Sequence, residues 1–121
     1  MKGIVVTTEN AVEIRDFGTP LHKTVGEAVG GYIEIVHPVG LADPLVMIVN
    51  EEGLLLNLPQ NQLGCLLYGT HMHGQPIVGN IVVMKTGFVD GEPDIVGLTD
   101  EETRLLLQTF EAFFGGPRPK E

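Results

Sequence analysis

The chain has no serine, no tryptophan, one cysteine and only seven lysine and arginine residues in 121 positions. Each shortage removes a class of chemistry. Without serine there is no Ser-His-Asp triad. A lone Cys65 cannot close an internal disulfide. Its neighbours Leu63, Leu66 and Leu67 suit a buried thiol better than a nucleophile, which needs a base and an oxyanion site beside it. Sixteen acidic residues against seven basic ones give a net charge of −9. Nucleic-acid affinity comes largely from Lys and Arg on phosphates, so no direct nucleic-acid contact is expected. No apolar run approaches the roughly 20 residues that cross a bilayer, and no membrane contact is expected either. Met1 to Thr7 carries one positive charge and a short apolar run, unlike a secretory signal, so the expected location is cytoplasmic.

What is present is aliphatic. Hydrophobic residues make up 43% of the chain and aromatics only 6%, so Val, Ile and Leu carry the burial. The length suits one domain with a single core. Residues 1–116 read as one α+β domain and residues 117–121, rich in proline, as a flexible tail. Sixteen glycines form neither a GxxxxGK[ST] loop nor a G-x-G-x-x-G turn, so phosphate-loop nucleotide binding has no support.

The pattern opens with a β-hairpin, Gly3–Thr7 and Ala11–Arg15, through a Thr8-Glu9-Asn10 turn. Thr19-Pro20 marks a helix start, Thr19 as cap and Pro20 in first position, and Gly30-Gly31 a helix end. Tyr32–Val36 alternates as a strand, and Leu45–Val49 is a central strand buried on both sides. Asn50 to Gly53 reads as a hairpin turn leading into a short strand at Leu54–Leu56. A short helix is expected within Pro59–Tyr68, a loop over Gly69–Gln75, and a strand from Ile77 to Lys85 interrupted at Gly79-Asn80. Asp90 to Asp94 reads as an acidic loop. Thr99-Asp100-Glu101-Glu102 is a capping box opening a last helix through about Phe114. The expected fold is a single α+β domain, a mixed, largely antiparallel sheet covered on one side by about three helices, the last at the C-terminus.

Few residues invite chemistry. His71-Met72-His73 is the segment where a metal would first be sought, with His22 or His37 as a third ligand, but no second cluster has ligand spacing; neither metal nor cofactor is expected. Glu34, Glu51 and Glu52 read as solvated carboxylates rather than a catalytic pair. Asn50, Asn57 and Asn61, with Gln60 and Gln62, lie within a short stretch around apolar strands. Such amides shape turns, and at the end of a sheet they also read uncharged polar groups.

The order of Val29-Gly30-Gly31-Tyr32-Ile33-Glu34-Ile35-Val36, Val49-Asn50-Glu51-Glu52-Gly53, Leu58-Pro59-Gln60-Asn61, Leu67-Tyr68-Gly69, Pro76-Ile77-Val78-Gly79-Asn80 and Gly97-Leu98-Thr99-Asp100-Glu101-Glu102 resembles the uncharacterised family DUF3846. The resemblance implies a small cytosolic protein of bacteria, phages or other mobile elements with no assigned activity. It places Asn50, Gly53, Pro59, Asn61 and Gly79 among the family-pattern positions. His71-Met72-His73 stands outside that pattern.

The reading is a non-enzymatic accessory protein that binds a small polar ligand or a partner protein. Its site is expected where the Asn50 turn, the Leu58–Asn61 segment and the Gly79-Asn80 break meet. Tyr32 and Tyr68 would form flat walls, and Asn50, Asn57, Asn61 and Asn80 would supply amides. The alternatives are an acidic decoy that occupies a host DNA-binding enzyme, and a carboxylate- or metal-dependent enzyme. A homodimer, through an exposed strand or the Phe110/Phe113/Phe114 helix face, is left open.

Overall fold

The structure, a computed structural model, describes residues 1–115, and the 117–121 segment lies outside them. Strands β1 (Lys2–Val6), β2 (Val12–Asp16), β3 (Ile33–Val36), β4 (Leu45–Asn50), β5 (Ile81–Val89) and β6 (Glu92–Val96) build one antiparallel sheet. Helices are α1 (Leu21–Val29), α2 (Gln62–Tyr68), α3 (Thr70–His73) and α4 (Asp100–Phe113). The strand order is β2-β1-β5-β4-β3, and β6 follows β1 along the same edge of β5, with Lys2 bridging to Leu98. The fold is α+β with a C-terminal helix, as the pattern required.

Strand periodicity explains how the sheet is covered. Successive side chains point to opposite faces, and β1, β4 and β5 are apolar at both parities. Ile4, Val6, Met47, Val49, Ile81 and Val83 pack on one face with Leu63 and Leu67 of α2 and Phe110 of α4. Val5, Val46, Ile48, Val82 and Met84 pack on the other with Phe17 and with Val25 and Val29 of α1. Burying each such side chain is worth about 1.5–3 kcal/mol. Helices therefore cover both faces, not one, and the expected single core is two clusters with the sheet between them. The near-continuous apolar run of β4 already required this, since a strand without a polar side has no face to leave in water.

Local differences have local causes. Pro20, not Thr19, occupies the cap position of α1, and no side chain caps it. Leu54–Leu56 is not a strand. Residues 51–57 form consecutive turns, closed by Leu56 N–H to Glu52 O and Leu58 N–H to Gly53 O, and the three leucines are 56%, 84% and 57% exposed. The Gly69–Gln75 loop contains the short α3. The acidic loop is a hairpin: β5 runs on to Val89, and Asp90 and Gly91, at φ 52° and 81°, turn the chain into β6. Asp-Gly is the dipeptide that a tight hairpin turn selects, so the signal was present. Thr99 Oγ1 accepts from Glu102 N–H at 3.1 Å and Glu102 Oε1 from Thr99 N–H at 2.7 Å, the capping box of α4.

Candidate functional site

The three segments expected to converge do so, chiefly through backbone. Asn61 N–H donates to Ile77 O at 2.9 Å, Gly79 N–H to Pro59 O at 2.8 Å, and Gln60 bridges to Val78. Gly53 lies beneath Val78, whose Cγ2 would sit 2.8 Å from an added Cβ. The turn, the segment and the strand break are one packed unit.

Within that unit Asn61 faces inward. It is 0% exposed; its Nδ2 donates to Val6 O at 2.9 Å and Gly79 O at 3.0 Å, and its Oδ1 accepts from Gly64 N–H at 2.9 Å, capping α2. Both amide hydrogens are spent inside the fold and Oδ1 caps α2, and at this depth the side chain does not reach a ligand as was expected of it. Asn50, 6% exposed, donates from Nδ2 to Val29 O at 3.1 Å and accepts at Oδ1 from Glu52 N–H at 2.8 Å. The first bond satisfies a carbonyl that the end of α1 leaves without a helical partner. The second shapes the turn. Asn57 occupies the left-handed region at φ 56° inside the 51–57 turns, and Asn80 Oδ1 accepts from Thr8 N–H at 3.1 Å. Neither Asn57 nor Asn80 lines either of the two cavities beside β3.

Those two cavities flank the edge strand. The first, about 130 Å³, lies on the α2 face; Glu34 and Val36 of β3, Asn50, Glu51, Leu54, Tyr68 and Gln75 line it, over a floor of Val49 and Ile77. The second is a wider groove of about 590 Å³ against α1, bounded by Lys23, Glu27, Gly30, Gly31, Tyr32, Ile33 and Glu51, with His22 at its end. The two tyrosines thus belong to different cavities: Tyr68 shares one with Asn50, while Tyr32, 74% exposed, stands at the other. Glu34 and Glu51, expected to be merely solvated carboxylates, line the first cavity together, and Gln75, which no motif singled out, joins them. The available signal was the alternation of β3, which places Glu34 and Val36 on one face at a sheet edge.

The first cavity carries two carboxylates and no basic side chain among its lining residues. It is smaller than the roughly 300 Å³ at which pockets for whole small molecules begin. It therefore suits the end of a side chain.

Other ionisable groups serve the fold. His22 Nε2 meets Asp94 Oδ1 at 2.7 Å, joining α1 to β6, and Ile95 N–H donates to the same oxygen at 2.7 Å. The His22 hydrogen bond first, then that from Ile95, lowers the Asp94 pKa. Glu102 is likewise held below its ordinary value by the Thr99 N–H and then by Lys85 Nζ at 2.9 Å, a bond from β5 to α4. Cys65 is half-buried, its Sγ accepting from Ile77 N–H at 3.3 Å. His71 is exposed. Among the described residues no three His, Cys, Asp or Glu side chains cluster as a metal site requires, and no helix is long and apolar enough to cross a membrane.

Comparison with known proteins adds a fold and a family. The crystal structure of small RNA methyltransferase HEN1 contains a similar arrangement, with TM-score 0.53 at 15% sequence identity, covering 85% of this chain and 15% of that one. At that identity the likeness concerns the fold alone, and the chain spans only about 15% of that protein's length. No curated protein matches the sequence. The family assignment is direct: residues 1–111 match the family described as Domain of unknown function (DUF3846), and the chain belongs to it.

Proposed function

We propose that this protein is a non-enzymatic binding module whose small cavity beside β3 receives a cationic side chain, ammonium or guanidinium, from a partner protein. The observation that carries this reading is the lining: the Glu34 and Glu51 carboxylates and the Tyr68 ring surround about 130 Å³ with no basic residue among them. Carboxylates attract a cation, a planar guanidinium bonds carboxylates in pairs, and an aromatic ring adds attraction to either group. Volume favours the partner-protein branch over the small-ligand branch, because a whole metabolite exceeds the space. The exposed leucines of the 51–57 turns, Leu54 at the cavity itself, supply apolar surface beside it for a partner to cover. The exposed carboxylates are spread over strand ends, turns and helix starts, from Glu13 and Asp16 to Asp90 and Glu101, not gathered into a duplex-like row. That distribution supports the cavity reading above a DNA-mimicking decoy.

The test is binding of n-butylguanidinium, followed by NMR shifts, to the native chain and to Glu34→Gln and Glu51→Gln. Both residues are exposed, so the variants fold. Each variant weakens binding several-fold and the pair together abolishes it. Unchanged binding in the double variant overturns the proposal.

A further inference from the structure

The edge of β3 extends the cationic-cavity reading to the shape of the partner. β3 pairs with β4 alone; no other described strand lies along its outer side. Glu51 N–H donates to Tyr32 O at 2.8 Å, and the β3–β4 register carries that pair on to Glu34 opposite Val49 and Val36 opposite Met47. In an antiparallel ladder, hydrogen-bonded pairs alternate with pairs whose N–H and C=O groups point away from each other. The backbone groups of Ile33 and Ile35 therefore face outward, at an edge already rimmed by exposed Tyr32, Glu34 and Ile35.

The two cavities flank this edge on opposite faces of the sheet. Glu34 and Val36 reach the small acidic cavity on the α2 side, Ile33 borders the glycine-walled groove on the α1 side, and Glu51 borders both. A strand laid along β3 would send successive side chains to alternate faces, one set to the carboxylate-lined cavity and the other to the groove. Charge selects the occupant. Glu27, Glu34 and Glu51 stand around the two cavities against Lys23 as the one fixed cation lining either, on a chain of net charge −9. A second copy of the same acidic edge would meet this surface with like charge; a basic strand would meet it with opposite charge.

We infer that β3 is a strand-addition site for an extended basic segment of a partner protein, with arginine or lysine at alternate positions. The inference rests on the cationic-cavity reading. Backbone bonds to Ile33 and Ile35 hold the segment, and one basic side chain on the α2 side enters the cavity at Glu34 and Tyr68, with the next ones lying along the same face.

The experiment uses the full 121-residue chain and a blocked hexapeptide, acetyl-Val-Arg-Val-Arg-Val-Arg-amide. Two complementary versions of it are N-methylated on its odd or on its even backbone amides. The parent peptide slows amide hydrogen exchange at Ile33 and Ile35 by about tenfold or more. One methylated peptide loses at least about tenfold in affinity and the other stays within about threefold, because only one set of its N–H groups faces β3. Unaltered exchange at Ile33 and Ile35, equal behaviour of the two methylated peptides, or no peptide binding overturns strand addition. Protection of Ile33 and Ile35 that rises with protein concentration alone also overturns it, in favour of self-pairing. Binding of n-butylguanidinium, measured in parallel, separates the two ideas: if it still shifts Tyr68 while strand addition fails, the cavity reading stands, and if it does not, both fall.

Discussion

The side-chain amide of Asn61 donates to the carbonyl of Val6 at 2.9 Å, linking residues 55 apart in sequence. The same nitrogen donates to Gly79 O at 3.0 Å, and Oδ1 caps α2. One buried side chain thus joins the first strand, the break before β5 and the second helix, holding the unit that frames one side of the acidic cavity.

Replacing it should be costly. Asn61→Ala removes a helix cap and leaves two buried carbonyls without this donor, so we expect a loss of about 2–4 kcal/mol. Asn61→Asp keeps the cap acceptor but places an unpaired charge at a fully buried position, and loses at least as much. Urea denaturation of the three proteins measures both.

Gly79 adopts φ +79°, and a Cβ there would lie 2.8 Å from Leu58 Cδ1. Gly79→Ala is expected to destabilise by about 1–2 kcal/mol through the left-handed backbone and the displaced leucine. Gly74→Ala has a similar φ, +78°, with nothing within 4 Å of the added carbon. The difference between the two unfolding midpoints therefore isolates the Leu58 contact.

Acid should unfold the protein through named groups. Asp94 and Glu102 both have pKa values lowered in the fold, Asp94 chiefly by the His22 hydrogen bond and Glu102 chiefly by the Thr99 N–H. The unfolded chain then binds protons at higher pH than the folded one. The stabilisation is complete above the ordinary carboxylate range, roughly pH 4 to 4.5, and is lost as pH falls through the lowered values. Glu102→Gln should flatten the acid limb of a stability–pH curve while lowering the plateau near pH 7.

Leu55 tests the 51–57 turns. At 84% exposure, Leu55→Ser should change folding stability by no more than about 0.5 kcal/mol. A half-buried strand position would lose considerably more, and thermal unfolding distinguishes the two.

Much of this architecture was legible before the fold was seen. The strands of the first hairpin, β3 and β4, the capping box at Thr99 and the short helix expected within Pro59–Tyr68 each had a local signal, and each formed where that signal lay. The coverage of the sheet was less legible, because an aliphatic run such as Val46-Met47-Ile48 states that both faces are buried but not by what. Leu54-Leu55-Leu56 misled for a related reason. Their composition suits a strand, but backbone bonds from Leu56, Asn57 and Leu58 back to Glu52, Leu54 and Gly53 wind the segment into turns. At the site, composition drew the eye to asparagines, and long-range contacts turned Asn61 inward, while Glu34 and Glu51, ordinary surface carboxylates in the sequence, came to line a cavity with Tyr68.

The central claim is that this cavity recognises positive charge. The most direct measurement is an NMR titration of the native chain with three probes of equal chain length: n-butylguanidinium, n-butanol and butyrate. The account predicts saturable shifts at Glu34, Glu51, Tyr68 and Gln75 with the cation alone, fading as salt is raised. Equal shifts with the alcohol or the anion, or cation-induced shifts confined to other parts of the surface, would contradict it.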